Sequence, residues 1–191
     1  MHKETTCCFT GPRRPRLPME GNELSAEIAA LKVNLRAAVS EAYYDGFRFF
    51  MNGMADGFDL FAAEIVLELK TELEGIALVA VLPYSEDYKN HSAAVKKRLE
   101  SVIEKADAVI SLSEKHIPGC EHSRNKYMVD NSSRIIGYYN GVSGGTAQCW
   151  NYAVENGLET VNLYESILQK SRRSSCRAFC ADDRFYRCHP L

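Results

Sequence analysis

The sequence lacks any apolar stretch long enough to cross a lipid bilayer. Its longest apolar runs, such as IALVAVL at residues 76–82, fall far short of the roughly 20 residues that a membrane helix needs. The N-terminus also lacks the apolar segment of a signal peptide, because charged residues and prolines occur within the first 15 positions. We therefore expect no membrane partner and no export, and a cytoplasmic location.

An excess of basic charge is also missing, since 23 Lys and Arg residues stand against 25 Asp and Glu residues and the net charge is −2. Residues 170–191 hold six basic and two acidic residues, which leaves −6 on residues 1–169. This distribution argues against a dedicated nucleic-acid binder with a strongly basic face. Nucleic acid is not an expected partner, although the basic tail alone can give weak, salt-sensitive binding.

The seven cysteines have neither the even number nor the spacing of a disulfide scaffold. In the tail, Cys176, Cys180, Cys188 and His189 are metal-capable, but they include no C-x-x-C pair and there is no second cluster. We therefore expect mostly free thiols and no metal site.

What the sequence contains is 46% hydrophobic and 25% charged residues, the balance of a soluble globular fold. Predicted strands alternate with predicted helices throughout, and this alternation is typical of right-handed βαβ crossovers. It predicts an α/β fold, a Rossmann-like three-layer αβα sandwich with a mostly parallel sheet.

The domain is expected to span 1–169, followed by a flexible, basic, cysteine-containing tail over 170–191. The predicted strands are 5–9, 47–51, 76–82, 106–113, 134–139 and 160–164, and the predicted helices are 22–44, 56–73, about 95–103, 123–131 and 147–155.

Small, polar or glycine residues follow nearly all of these strands. Ligands of open parallel sheets bind beyond the carboxyl ends of the strands, so these positions are candidates for a shared site. Turn residues that serve packing alone are the alternative. The candidate ligand-binding residues are Thr10, Gly11, Arg13, Asn52, Gly53, Asp56, Asp59, Tyr84, Arg124, Asn125, Gly144, Gly145 and Thr146.

The strongest of these candidates is the Gly144-Gly145-Thr146 turn, which lies between a predicted strand and a predicted helix. Backbone N–H groups and the positive end of a helix can bind a phosphate, and Thr146 adds a hydroxyl. A tight turn without a ligand is the alternative. Two familiar phosphate motifs are absent, because no segment reads G-x-G-x-x-G or G-x-x-x-x-G-K-[ST], which disfavours ordinary dinucleotide dehydrogenases and P-loop NTPases.

The other candidates each have a structural alternative. Asp56 and Asp59 can accept a ribose hydroxyl, or they can cap a helix and interact with its dipole. Arg124 can bind phosphate or remain solvated beside a Lys126–Asp130 pair. Tyr84 can stack on a base or be a simple surface aromatic residue.

Four segments together resemble the SLOG superfamily, and specifically its YpsA-like branch. They are Cys7-Cys8-Phe9-Thr10-Gly11-Pro12-Arg13, the turn 52–59, Arg124-Asn125-Lys126-Tyr127-Met128-Val129-Asp130, and Gly144-Gly145-Thr146-Ala147. The match covers roughly residues 5–165. The sequence departs from the branch at Pro12, where His is usual, and at Arg14, where Pro is usual.

The resemblance implies a bacterial or phage nucleotide-binding module, distantly related to DprA and to the LOG phosphoribohydrolases. Our leading hypothesis is a sensor or regulator for an ADP-ribose-like or NAD-like ligand, with no other cofactor. The alternatives are a LOG-like nucleoside-phosphate N-glycosidase and DprA-like DNA binding. The LOG motif P-G-G-x-G-T-x-x-E is not matched here and its glutamate is absent, so catalysis has no support. Related domains often pair through helices, which makes a homo-oligomer a further expectation.

Overall fold

The computed structural model describes residues 1–164, so the predicted tail over 170–191 lies outside the described residues. Six strands alternate with five α-helices in this part of the chain. The strands are β1 (Thr6–Thr10), β2 (Phe49–Asn52), β3 (Ala77–Leu82), β4 (Ala108–Ser111), β5 (Arg134–Gly137) and β6 (Glu159–Asn162). The helices are α1 (Ala26–Tyr44), α2 (Phe58–Leu69), α3 (Ala93–Lys105), α4 (Cys120–Asp130) and α5 (Gly145–Glu155).

All six strands form one parallel sheet in the order β4-β3-β2-β1-β5-β6. In its register, Thr6 of β1 pairs with Phe49 of β2, and Thr10 pairs with Gly137 of β5. The predicted α/β Rossmann-like sandwich is therefore confirmed.

Two hydrophobic clusters cover the two faces of the sheet. Cys7 and Phe9 of β1 pack with residues of α1, α2 and α3 on one face. Cys8, which lies between them, packs with residues of α4 and α5 on the other face. Both faces are buried because helices cover each of them, which explains why β1 and β3 read as continuous apolar runs without polar alternation.

The start of α2 differs from the prediction that Asp56 caps this helix. Gly57 is the N-cap residue, with φ of 100°, and no side chain caps the helix. A Cβ at Gly57 would lie 2.5 Å from the backbone nitrogen of Arg14. The loop after β1 therefore packs directly on this turn, while the Asp56 carboxylate pairs with the guanidinium of Arg14 at 3.6 Å.

Gly57→Ala is expected to destabilise the fold by more than Gly46→Ala does. Both glycines have φ of 100°, but a Cβ at Gly46 would meet nothing within 4 Å. The strain of a positive φ costs about 1–3 kcal/mol at either position, and the steric clash adds to it only at Gly57. Urea unfolding of the two variants measures the difference, and equal destabilisation would contradict the packing described here.

Several further boundaries differ from prediction, and two of them bear on the site. Helix α4 begins at Cys120 rather than Ser123, because Gly119 adopts φ of 82° and turns the chain into the helix earlier. Strand β4 ends at Ser111 and is mostly exposed, as its position at the edge of the sheet requires.

Among residues 1–164, no helix is both long and apolar enough to cross a membrane. The four cysteines in this range are free.

Candidate functional site

The centre of the sheet contains the point at which the strand order reverses. Strands β1 and β5 are neighbours, but the chain proceeds from β1 toward β2 on one side and from β5 toward β6 on the other. The loops that follow these two strands diverge and leave a crevice at the carboxyl edge of the sheet. Such switch points are where open α/β sheets bind their ligands.

A cleft of about 930 Å³ lies at this point. Its volume falls within the range of small-molecule binding sites. Nine of the thirteen candidate residues line it: Thr10, Gly11, Arg13, Asp59, Arg124, Asn125, Gly144, Gly145 and Thr146. Three of the four segments that carry the predicted site therefore meet at the cleft. From the fourth segment, the turn 52–59, only Asp59 among the candidates lines it.

One wall of the cleft is the N-terminus of α5. Gly144 has φ of 143° and ψ of −167°, a conformation that is essentially restricted to glycine, and no side chain caps the helix. The first intrahelical bond runs from the Gln148 N–H to the Gly144 carbonyl. The N–H groups of residues 145–147 precede that bond and have no acceptor within the helix. This end of α5 is therefore a ready-made anion site.

Three arginines line the cleft, and two of them are exposed. Arg13 and Arg16 line the cleft and form no salt bridge within residues 1–164. A Cβ at Gly144 would lie 3.1 Å from Nη1 of Arg16, so that guanidinium lies directly against the glycine turn. Arg14, by contrast, is engaged with Glu23 and Asp56.

Arg124 is buried at 6% exposure, which excludes the alternative of a solvated side chain. Its Nη1 donates to the Gly53 carbonyl, and its Nε donates to Oδ1 of Asn125 at 2.9 Å. The alternative pairing of Asp130 with Lys126 is not present either, because Asp130 accepts a hydrogen bond from the Tyr152 hydroxyl at 2.9 Å. These contacts fix a positive charge in the wall of the cleft.

Asp59 supplies the opposite charge. It is 6% exposed, and its Oδ1 has no hydrogen-bond partner among the described residues. Burial raises the pKa of this carboxyl to about 6, against the opposing effects of Arg124, the Ala55 N–H and Arg13. A buried, unpaired carboxylate oxygen in a cleft is an acceptor available to a ligand hydroxyl.

Two of the four candidates outside the cleft, Asn52 and Gly53, contact residues that line it. The Asn52 amide donates to the Asp59 carbonyl at 2.7 Å and accepts from the Met54 N–H at 2.8 Å. Gly53 is needed because a Cβ there would overlap the Arg124 guanidinium and come within 2.9 Å of Oδ2 of Asp59. Both residues therefore position Asp59 and Arg124.

The other two candidates have different environments. Asp56 pairs with Arg14, as described above. Tyr84 is buried, accepts a hydrogen bond from the Asn90 amide at 2.7 Å, and packs edge-on against the His116 ring. Tyr84 is not among the residues that line the cleft, so the structure gives no support to base stacking by Tyr84 there.

Several lining residues were missed by the sequence analysis, among them Arg16, Glu121, Tyr138, Asn140 and Ser143. Arg16 belongs to a proline-rich loop whose path is set by tertiary packing rather than by a local pattern. Glu121 was missed because α4 begins before its predicted start. Asn140 and Ser143 lie in the loop between β5 and α5, and the rule that ligands bind at strand ends could have found them.

A family model matches residues 7–169 of the chain, and it is that of YpsA, described as the YspA SLOG family. An uncharacterised SPbeta prophage-derived protein of Bacillus subtilis, YoqJ, is 30% identical over 141 residues, which are 67% of this chain and 82% of that protein. A UPF0398 protein of Lysinibacillus sphaericus is 22% identical over 153 residues, which are 75% and 86% of the two chains.

Solved structures of DNA processing protein A share the fold. The protein from Helicobacter pylori, described for its single-stranded DNA binding mode, has a TM-score of 0.57 at 17% identity, over 88% of this chain and 74% of that one. The Streptococcus pneumoniae protein DprA has a TM-score of 0.53 at 16% identity, over 83% of this chain and 50% of that one. The match across residues 7–169 assigns the family: this chain belongs to the YpsA family of SLOG proteins.

Proposed function

We propose that this chain is a cytoplasmic sensor or regulatory module that binds a nucleotide-derived ligand of the ADP-ribose or NAD class. The observation that carries the proposal is the uncapped N-terminus of α5, which opens onto the cleft at the strand-order reversal beside three arginines. A diphosphate needs this combination of backbone N–H donors and positive charge.

In this proposal the N–H groups that follow Gly144 hold the phosphates, and Arg13 and Arg16 approach them from the loop after β1. Asp59 accepts a ribose hydroxyl through Oδ1, which has no partner in the described part of the chain. Arg124 offsets the charge of that carboxylate, and the Gly53 carbonyl and Asn125 hold its guanidinium in place. The cleft therefore offers acceptor and donor groups for both halves of a ribose phosphate.

Calorimetric titration with AMP, ADP-ribose, NAD and cyclic ADP-ribose tests the proposal. We expect a micromolar dissociation constant for at least one of them, corresponding to about −8 kcal/mol. Each mixture is then assayed for free base or nicotinamide, and we expect none. Absence of binding to all four compounds would contradict the proposal, and base release would replace it with the N-glycosidase alternative.

DNA binding is the second candidate function, because a structural neighbour is described for its single-stranded DNA binding mode. The charge of −6 on residues 1–169 argues against it, whereas the arginines at the cleft favour it. A single-stranded oligonucleotide that binds more tightly than ADP-ribose at physiological salt, and displaces it, would make DNA the preferred ligand.

A further inference from the structure

Three metal-capable side chains of different chemistry meet at the rim of the cleft. The imidazole of His116, the thiol of Cys120 and the carboxylate of Glu121 place their ligand atoms within 4.8 Å of one another. No other group of three such residues occurs within residues 1–164. Glu121 also lines the cleft, so the cluster adjoins the proposed ligand site. The nucleotide proposal assigns no role to any of the three residues.

The local fold brings the three residues together. Gly119 has φ of 82° and redirects the chain, so that Cys120 and Glu121 form the first turn of α4. The Cys120 N–H donates to the Ile117 carbonyl at 3.1 Å, which folds the preceding loop back over the helix start. His116 lies in that loop with its ring edge-on to Tyr84, at a centroid separation of 5.4 Å.

The imidazole nitrogens of His116 have no hydrogen-bond partner in the described part of the chain. Its one ring contact is with Tyr84, whose buried ring limits the orientations open to the imidazole. A histidine whose ring packs against a buried aromatic residue, and whose nitrogens have no partner among the described residues, is suited to metal ligation.

The geometry agrees with a tetrahedral ion. The Cys120 sulfur and Oε2 of Glu121 are 3.4 Å apart. Zinc bonds of about 2.3 Å to sulfur and about 2.0–2.1 Å to nitrogen or oxygen place neighbouring ligand atoms roughly 3.3–3.6 Å apart. Because all three ligand atoms lie within 4.8 Å of one another, the His116 nitrogen needs to move by no more than roughly 1.5 Å, which is within the freedom of an exposed side chain.

The donor set selects among metals. A thiolate with an imidazole suits zinc, whereas calcium and magnesium prefer oxygen ligands alone. Three protein ligands leave the fourth position of a tetrahedral ion open, as in zinc sites that bind water or a substrate.

We propose that His116, Cys120 and Glu121 bind a zinc ion at the rim of the cleft, with one coordination position open. Binding would deprotonate Cys120 and replace the negative charge of Glu121 at the cleft by a neutral metal centre. The proposal goes beyond the nucleotide proposal and stands without it, because the metal is measured directly.

Metal titration of the full chain tests this site. Chelator-treated protein is titrated with Zn²⁺ against a competing chelator, and separately with Co²⁺, whose thiolate charge-transfer absorption reports ligation by cysteine. We expect one site per chain whose affinity falls at least tenfold, and up to about 100-fold or more, in His116→Ala and in Cys120→Ser. His122→Ala is the matched control, because His122 is exposed on the same helix and lies outside the cluster.

The tail cysteines provide the second control. The same titrations are made with Cys176, Cys180 and Cys188 all replaced by Ser, and the site is expected to remain. Because His116 is exposed, His116→Ala tests the site without disturbing the core even if Cys120→Ser unfolds. Absence of zinc binding by the wild-type chain, or binding that survives His116→Ala and disappears with the tail substitutions, would overturn the proposal.

Discussion

Replacing Asp59 with Asn is expected to stabilise the fold at pH 7.5 by about 3 kcal/mol. Burial raises the pKa of this carboxyl from 3.8 to about 6, so the folded chain holds the proton more tightly than the unfolded chain does. The stability that this group contributes is therefore complete below pH 4 and is lost as the pH rises through 6. Roughly two pKa units correspond to about 3 kcal/mol, and a neutral Asn avoids that loss.

The pH dependence separates this effect from a simple packing change. The advantage of Asp59→Asn over the wild type should shrink by about 1.4 kcal/mol between pH 7.5 and pH 5, as the wild-type carboxyl becomes protonated. Urea unfolding at the two pH values measures it. Glu114→Gln, which removes an exposed carboxylate outside the cleft, should change stability by no more than about 0.5 kcal/mol. A gain that does not vary with pH, or a loss at pH 7.5, would contradict this account of Asp59.

The same substitution is expected to weaken nucleotide binding about tenfold, because a neutral amide oxygen accepts a hydroxyl proton less strongly than a carboxylate does. A residue that lowers stability while it improves binding is typical of a functional site.

Gly145→Asp is expected to weaken nucleotide binding at least 100-fold while leaving the fold intact. A Cβ at Gly145 meets nothing within 4 Å, and the residue does not have a positive φ, so the new side chain fits. An aspartate in the first turn of α5 interacts favourably with the helix dipole. The same carboxylate would occupy the anion site and repel a phosphate there.

Ser92→Asp is the matched control for that variant. It adds the same charge at the N-cap of α3, outside the cleft, where the serine side chain makes no capping hydrogen bond. Calorimetric titration of both variants, with thermal unfolding of each, compares them. Equal affinity in the two variants would mean that the glycine turn at α5 is structural.

The fold was predictable because its signals are local. Apolar runs bounded by glycine or proline gave the buried strands, and alternation with helices gave the parallel sheet. The boundaries that were wrong depend on tertiary contacts. Asp56 resembles a helix cap in the sequence, but Arg14 pairs with it and the packing of the first loop selects Gly57 instead.

The candidate site was predictable to the extent that strand ends converge on one edge of a sheet. That rule placed the glycine turn and Arg13 at the edge where the cleft lies, but it could not distinguish lining residues from supporting ones. Asn52 is the last residue of its strand, as Thr10 is, yet its amide bonds to the Asp59 carbonyl and the Met54 N–H and does not face the cleft. The cluster of His116 with Cys120 was not predicted. The proline and the glycine between these two residues are typical of a loop, so no sequence pattern indicated that the two side chains lie together.

The most direct test of the phosphate site compares ADP-ribose with adenosine on the wild-type chain. The two share the adenosine group, and ADP-ribose adds a second ribose and the diphosphate that α5 and the arginines are proposed to bind. Two hydrogen bonds to a charged group contribute about 3 kcal/mol or more, so we expect ADP-ribose to bind at least 100-fold more tightly. Equal affinities, or binding of neither compound, would contradict the assignment of this cleft as a nucleotide phosphate site.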